Sequence, residues 1–185
     1  SRAAASASPP RARVLLREAE DIAGIMARGA ERTAAIVKDL RTFSRLGEAQ
    51  RKAADLHDGL EMSLRLLAPR WRERISIHRD YGRLPLVECD PAQINQVLMN
   101  LLANACDAIA GRGQIWIATR SLGTAVEVSI RDDGAGIPAD LLPRVFDPFF
   151  TTKEVGRGTG LGLAVSHSVV AAHGGDITVE SAPGA

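Results

Sequence analysis

Apolar residues between positions 14 and 45 recur at alternating steps of four and three: Leu15, Ala19, Ile22, Met26, Gly29, Thr33, Ile36, Leu40 and Phe43. This period of 3.5 predicts one long helix with a seam built to meet other helices. Leu16, Ala23, Ala30 and Val37 widen the stripe, which favours a bundle over a two-stranded coil. At 1.5 Å per residue the helix is about 48 Å long. The chain has no second helix of matching length, so the stripe is expected to meet another copy or a segment outside this sequence. The competing reading folds the helix back onto the domain that follows.

The pattern changes from residue 50. Leu56 opens a short strand or turn, and Asp58 reads as the N-cap of a helix over 59–68 that Pro69 stops. Ile75-Ser76-Ile77-His78 alternates as a strand. Asp90-Pro91 reads as an N-cap and a first-turn proline. The helix over 91–110 then places Ile94, Val97, Leu98, Leu101, Leu102, Ala105 and Ile109 on one face. Two alternating runs, 114–121 and 125–131, flank Leu122-Gly123-Thr124 as a hairpin. A loop-rich stretch over 136–160 holds Phe146, Phe149 and Phe150. A helix over 161–173 ends at Gly174-Gly175, and Ile177-Thr178-Val179 reads as a last strand. Helices mixed with antiparallel strands predict an α+β fold, a two-layer sandwich with helices on one face of a sheet.

Composition narrows the function classes. The 185 residues suit one domain plus an appendage, and 45% hydrophobic with 24% charged residues is a globular composition. A net charge of +1 argues against a nucleic-acid binder that works by bulk electrostatics. Arg65, Arg70, Arg72 and Arg74 cluster, but Glu73 interrupts them and a solvated helix end is expected. Cys89 and Cys106 lie among apolar neighbours without metal-ligand spacing, so buried thiols in a reducing compartment are expected. No apolar run approaches the roughly 18 residues of a membrane span. Residues 1–13 are rich in Ala, Ser and Pro and read as a flexible lead.

Three features carry chemistry. Asn100 and Asn104 are one helical turn apart among apolar neighbours, where burying two amides without partners is costly. Either they cap something locally or they face a ligand, and an amide oxygen suits Mg²⁺. Asp132 ends a strand and precedes Gly134 and Gly136. It is an ordinary acidic turn, or it accepts from an exocyclic amine such as adenine's while the two glycines clear room for the base. The run Gly156-Arg157-Gly158-Thr159-Gly160-Leu161-Gly162-Leu163 fits neither the dinucleotide fingerprint nor the phosphate loop. It is a flexible loop feeding a helix N-terminus, where free N–H groups and the dipole attract anions. Lys153, Arg157 and Thr159 add donors, and the three phenylalanines either hinge the loop or belong to the core.

In this order the segments resemble the ATP-binding domain of sensor histidine kinases, in the superfamily shared with gyrase, heat-shock chaperone and mismatch-repair ATPases. Asn100-Leu-Leu-Ala-Asn104-Ala resembles the N box, and Asp132-Asp133-Gly134-Ala135-Gly136-Ile137 the first glycine box. Phe146-Asp147-Pro148-Phe149-Phe150-Thr151-Thr152-Lys153 resembles the F box in its nitrogen-regulator-like form. Gly156–Leu163 resembles the second glycine box, and Lys38–Arg45 the end of the second helix of the dimerisation hairpin. The resemblance implies a Bergerat-type ATP-binding domain over 47–185, a hairpin helix over 14–46 and a lid from about 138 to 160. It implies Mg²⁺ on Asn104, adenine on Asp132 and phosphates near Lys153 and Thr159, with Asn100, Asn104 and Lys153 taking part in catalysis and both Asn side chains in cofactor binding. It extends the nucleotide contacts to Gly134, Gly136, Ile137, Phe149, Thr151, Thr152, Gly158, Gly160, Leu161, Gly162 and Leu163.

The implied activity is transfer of the γ-phosphoryl of ATP to a histidine, with relay to an aspartate of a response regulator. ATP-hydrolysing relatives carry a Glu at the position of Asn100, and an amide cannot serve as base at neutral pH. None of His57, His78, His167 and His173 lies in an acceptor context. By the family's pattern the first hairpin helix and a further strand after Pro183-Gly184 are expected to lie outside this sequence. The basic residue that many members place three positions after the metal Asn is Asp107 here. A homodimer or exchanged oligomer through 14–46 and a cytoplasmic site, with a parent chain anchored in the inner membrane, complete the expectation. A degenerate ATP-binding or interaction module and an anti-sigma-type serine kinase are the competing functions.

Overall fold

The structure is a computed structural model that describes residues 10–44, 50–153 and 158–182. The long helix is present as α1, Pro10–Ser44. It stands apart from the sandwich and meets it chiefly at the last helix. Leu15 and Met26 on its seam are 64% and 69% exposed, and Ile22 is exposed with them. The helix is therefore not folded back onto the domain along that stretch. The side chains of Ile36, Leu40 and Phe43 lie outside the described residues, as do 45–49.

A short strand, β1 (Lys52–Ala54), precedes α2 (Leu56–Leu66). The N-cap of α2 is Asp55, whose Oδ1 accepts from the His57 amide at 2.8 Å. The expected cap, Asp58, lies inside the first turn, and Leu56 is the first helical residue and buried. Two acids three residues apart offer the same local signal, and Leu56 selects between them because it must face the core. Pro69 does not stop α2. It sits in the first turn of a four-residue helix, α3 (Ala68–Trp71), where its missing N–H costs nothing.

The main sheet has the order β2-β4-β5. β2 (Ile75–Tyr81) runs parallel to β4 (Gly113–Ser121), from Ile75 opposite Gly113 to Tyr81 opposite Thr119. Within this sheet the expected antiparallel arrangement holds for β4 with β5 (Val126–Asp132), which form the predicted hairpin with Gly123 at φ 76°. Between β2 and β4 the chain passes through β3 (Val87–Cys89) and α4 (Pro91–Ala108), a crossover long enough for parallel pairing. β3 pairs antiparallel with β1 as a separate two-stranded sheet.

Asp90 caps α4 as expected, accepting from Ala92 and Gln93 at 2.9 and 3.3 Å. Ile115 and Ile117 of β4 lie under Leu60 and Leu64 of α2 and Leu98, Leu102 and Cys106 of α4. Both cysteines are buried, and burial is the first reason their thiols are pushed up. The second core joins Val97 of α4 to Leu161, Val165 and Val169 around α5 (Gly162–Ala172). Residues 177–179 alternate in burial but join no ladder. Period-two patterning fixes a half-buried extended segment without naming its hydrogen-bond partner, so the expected last strand is corrected to extended chain.

The arginine cluster is more structural than a solvated helix end. Arg74 donates to the carbonyls of Cys106 at 2.8 Å and Gly111 at 3.3 Å, and also to that of Ile109. It thus serves the orphan carbonyls at the C-terminus of α4. Arg70 pairs with Asp107 on the last turn of the same helix.

Candidate functional site

Asn100, Asn104 and Ala108 follow one another at steps of four along α4 and form a single stripe. Each meets a different loop segment. The Asn100 Nδ2 donates to the Gly162 carbonyl at 3.2 Å and to Ser166 Oγ at 3.4 Å. The Asn104 Oδ1 accepts from Lys153 Nζ at 3.1 Å. The Ala108 carbonyl accepts from the Ala135 amide at 3.0 Å. One helix therefore gathers the start of α5, the aromatic segment and the turn after β5.

The amide pair divides its work. Asn100 pins the first turn of α5, a partner 62 residues away and not a local cap. Asn104 is half-buried, and its oxygen is turned toward a cation. That oxygen fits a hard metal ion sharing its shell with phosphates. Among the described residues no cluster of His, Cys, Asp and Glu offers an all-protein metal site.

Asp132 is half-buried at the end of β5, and its Oδ1 accepts from Gly134 N at 3.0 Å. This turn fixes the carboxylate and leaves Oδ2 without a partner among the described residues. The neighbouring Asp133 braces the turn on β4, accepting from Gln114 N at 2.7 Å. Gly134 has a packing reason of its own. A Cβ there would lie 2.6 Å from Ala108 Cβ and 2.7 Å from its carbonyl carbon, so the glycine admits α4. Gly136 adopts φ 70°, and the Ile137 amide is held by Ser181 Oγ at 2.8 Å.

The expected lid over 138–160 is not uniform. Its first part is anchored: Leu142–Arg144 form a 3₁₀ turn, Val145 is buried, and Phe146 packs on His167 with centroids 5.2 Å apart. Phe150 lies under the Arg144 guanidinium. Phe149 is 66% exposed and has φ 67°, a left-handed conformation that is costly for a bulky residue. Its amide donates to the Gly160 carbonyl at 2.8 Å, so the strained residue clasps the two ends of the loop together. Lys153 N donates to Thr151 Oγ1 at 3.2 Å, and Thr152 is exposed. A Cβ on Gly158 would lie 2.7 Å from Thr151 Oγ1, so the returning chain passes close there. Gly156 and Arg157 lie outside the described residues.

At the start of α5 the Thr159 Oγ1 accepts from Leu161 N at 3.2 Å. The Leu161 amide is thereby used, and its side chain is buried in the second core. Leu161 thus anchors the end of the loop to the second core. No side chain caps α5, which leaves the Gly162 and Leu163 N–H groups at the dipole's positive end.

Sequence reasoning singled out Asp107 but missed the ion pair it makes beside Asn104. Lys153 Nζ also binds Asp107 Oδ2 at 2.7 Å, and Arg70 binds the other carboxylate oxygen. Burial pushes the Asp107 carboxyl up. The Lys153 hydrogen bond and charge, with those of Arg70, outweigh it and hold the group below its ordinary value. The signal was present in the spacing: Asp107 is three residues after Asn104, on the same side of the helix.

All four histidines have structural partners. His57 stacks on Tyr81 and meets Thr119 Oγ1 at 2.9 Å. His78 stacks on Trp116, and His167 packs on Phe146. His173 Nδ1 lies 2.8 Å from the Val169 carbonyl, and its Nε2 accepts from Asp90 N at 3.0 Å.

A two-layer sandwich with an Asn stripe, an acidic-glycine turn and a glycine loop at an uncapped helix is the build of one ATPase class. Residues 89–185, over half of the chain, match the family of histidine kinase-, DNA gyrase B- and HSP90-like ATPases, and the chain belongs to that family. Within it, this chain is homologous to the sensor histidine kinases. It is 38% identical over 169 residues to the sensor histidine kinase ZraS of Escherichia coli (strain K12), covering 90% of this chain and 36% of that protein. It is 39% identical over 171 residues to the sensor kinase CckA of Brucella abortus (strain 2308), covering 84% of this chain and 18% of that one. Among solved structures, full-length ShkA in complex with AMPPNP superposes with a TM-score of 0.75 at 27% identity, over 90% of this chain and 36% of that one. The histidine kinase ThkA, in complex with the response regulator protein TrrA, gives 0.67 at 26% identity, over 87% of this chain and 50% of that one. The chain thus spans about a third of the length of ZraS.

Proposed function

We propose that this chain binds Mg²⁺-ATP along the α4 stripe and donates the γ-phosphoryl group to a histidine on a helical hairpin, for relay to a response-regulator aspartate. The observation that carries this reading is the convergence of three loop segments on Asn100, Asn104 and Ala108.

Asp132 Oδ2 accepts from the adenine amine, while the Gly134 bond keeps the carboxylate in place. The N–H groups of Gly162 and Leu163, the Thr159 hydroxyl and Lys153 receive the phosphates. Asn104 Oδ1 would hold Mg²⁺, which when bound neutralises charge on the phosphate oxygens. Asn100 is committed to α5 and cannot take a proton from water, which favours transfer over hydrolysis. In the transfer the imidazole nitrogen bonds to the γ-phosphorus as the bond to the bridging oxygen breaks, and ADP leaves. With all four histidines occupied in the fold, the acceptor is supplied from outside these residues.

The exposed seam of α1 supports pairing with a second copy, as dimer or exchanged bundle. The solved pair of ThkA with TrrA supports a receiver domain as the downstream partner. No described helix is long and apolar enough to cross a membrane, and we place the site in the cytoplasm with any anchor elsewhere in the parent chain.

The test is incubation of this chain with γ-labelled ATP and a hairpin bearing an acceptor histidine. Acid-labile label on the hairpin is expected. Binding of ATP without transfer would favour a degenerate module, and acid-stable label on serine would favour a serine kinase.

A further inference from the structure

The Lys153 ammonium lies 3.1 Å from the Asn104 oxygen and 2.7 Å from Asp107 Oδ2. We propose that Asp107, anchored by Arg70, holds Lys153 as a resident cation on the metal-ligand oxygen until Mg²⁺-triphosphate displaces it. Asp107 is on this account a positioning residue that sets the nucleotide-free state of the loop. The inference rests on the reading of Asn104 as a metal ligand.

A Mg²⁺ ion binds oxygen at about 2.1 Å, so it and the ammonium could share Asn104 Oδ1 only at a separation of roughly 5 Å or less. Two cations that close repel, and each wants the same lone pairs. The ammonium must therefore move when the ion arrives. Lys153 has a flexible four-carbon stem for that movement, and the triphosphate offers it a new anionic partner.

Asp107 gives the resting position its strength. Its two oxygens are divided between Arg70 from α3 and Lys153 from the loop. Arg70 is fixed to the sandwich, so the carboxylate is not free to follow the lysine outward. The latch also controls the loop's returning chain. Lys153 N is tied to Thr151 Oγ1, and a Cβ on Gly158 would lie 3.3 Å from Lys153 Cδ. Release of the Lys153 side chain therefore removes its hold on 150–153, next to the clasp of Phe149 on Gly160. The side chains of Asp107 and Lys153 are 32% and 35% exposed, so the latch is modest and reversible.

The experiment compares the chain with Asp107→Asn, Lys153→Met and the double variant, in two arms. Without nucleotide, hydrogen exchange is followed at the amides of 150–153. Asp107→Asn is expected to speed it by about two- to five-fold, the range of a partly exposed ion pair. Unchanged exchange would overturn the latch. With nucleotide, affinity for ATP is measured with Mg²⁺ and with EDTA. Asp107→Asn is expected to raise Mg²⁺-ATP affinity by about two- to five-fold when Lys153 is present, and by clearly less in the Lys153→Met background. Equal gains in both backgrounds would mean simple repulsion between Asp107 and phosphate. A loss with Lys153 present would mean that Asp107 holds the lysine for the phosphate. Either result overturns the proposal. Absence of any ATP binding by the unaltered chain would instead refute the nucleotide site, while the exchange arm would still decide the latch. Arg70→Met is a second route: it frees the Asp107 carboxylate from its anchor and should speed the same exchange with Lys153, Asn104 and Asp107 themselves unchanged.

Discussion

Asp132 and Asn104 separate base recognition from metal recognition, and each can be removed with little damage to the fold. Asp132→Asn keeps an oxygen for the Gly134 amide but loses the charge that faces the adenine amine. ATP affinity should fall by about 1.5–3 kcal/mol, with a smaller fall for GTP. Equal losses in calorimetry would count against the adenine role. Asn104→Ala should abolish the Mg²⁺-dependent part of ATP affinity at an almost unchanged ligand-free melting temperature. A large drop in that temperature would make Asn104 structural. Both residue types were legible from spacing, because a helical turn and a strand end are local facts. The division of labour within the Asn pair was not. Which amide meets α5 and which meets Lys153 depends on segments more than forty residues away.

A second cluster at this scale governs pH dependence. The Arg79 hydrogen bond, opposed by burial and aided by Tyr81, holds the Glu61 carboxyl below its ordinary 4.5. Burial, with the Glu61 bond, pushes Tyr81 up to about 12. Glu61 thus adds stability that is present above 4.5 and is lost as pH falls through its lowered value. Tyr81 adds stability that is present below 10.0 and is lost as pH rises toward 12. Urea unfolding of Glu61→Gln across pH should lose the acid-side slope and weaken the alkaline one. An unchanged profile would contradict the assignment.

At the scale of elements, α4 is the organiser. Its apolar face was readable from a 3.6-residue period and is the face that meets α2 and the sheet. Its other stripe, Asn100, Asn104 and Ala108, makes the site. At Gly134 the turn after β5 passes against the backbone of Ala108 on α4. Gly134→Ala should destabilise the ligand-free chain by about 1–3 kcal/mol, since neither backbone nor helix can yield cheaply. Urea unfolding checks this, and a neutral result would show that the first glycine box is not a helix-packing device. Sequence reasoning missed this role because a glycine's neighbour is a tertiary fact. The same limit explains the parallel pairing of β2 with β4, the unpaired 177–179 segment and the cap at Asp55.

For the whole molecule, the sandwich and α1 behave as two parts with different needs. The sandwich closes two cores of its own. α1 leaves Leu15, Ile22 and Met26 exposed, and burying that surface is worth roughly 25 cal/mol per Å². Light scattering should therefore show self-association that disappears when these three residues become Ser. A strict monomer at high concentration would sink the pairing claim. The seam's period was legible because heptads are local, whereas its partner is a property of the assembly.

If one helix stripe assembles the nucleotide site, amide chemical shifts should report it when Mg²⁺ and AMPPNP are added. Perturbations are expected to concentrate at 100–108, 132–137, 150–153 and 158–163, with the outer sheet face at His78, Trp116 and Arg131 unaffected. Perturbations centred on that sheet face, or none at saturating nucleotide, would contradict it.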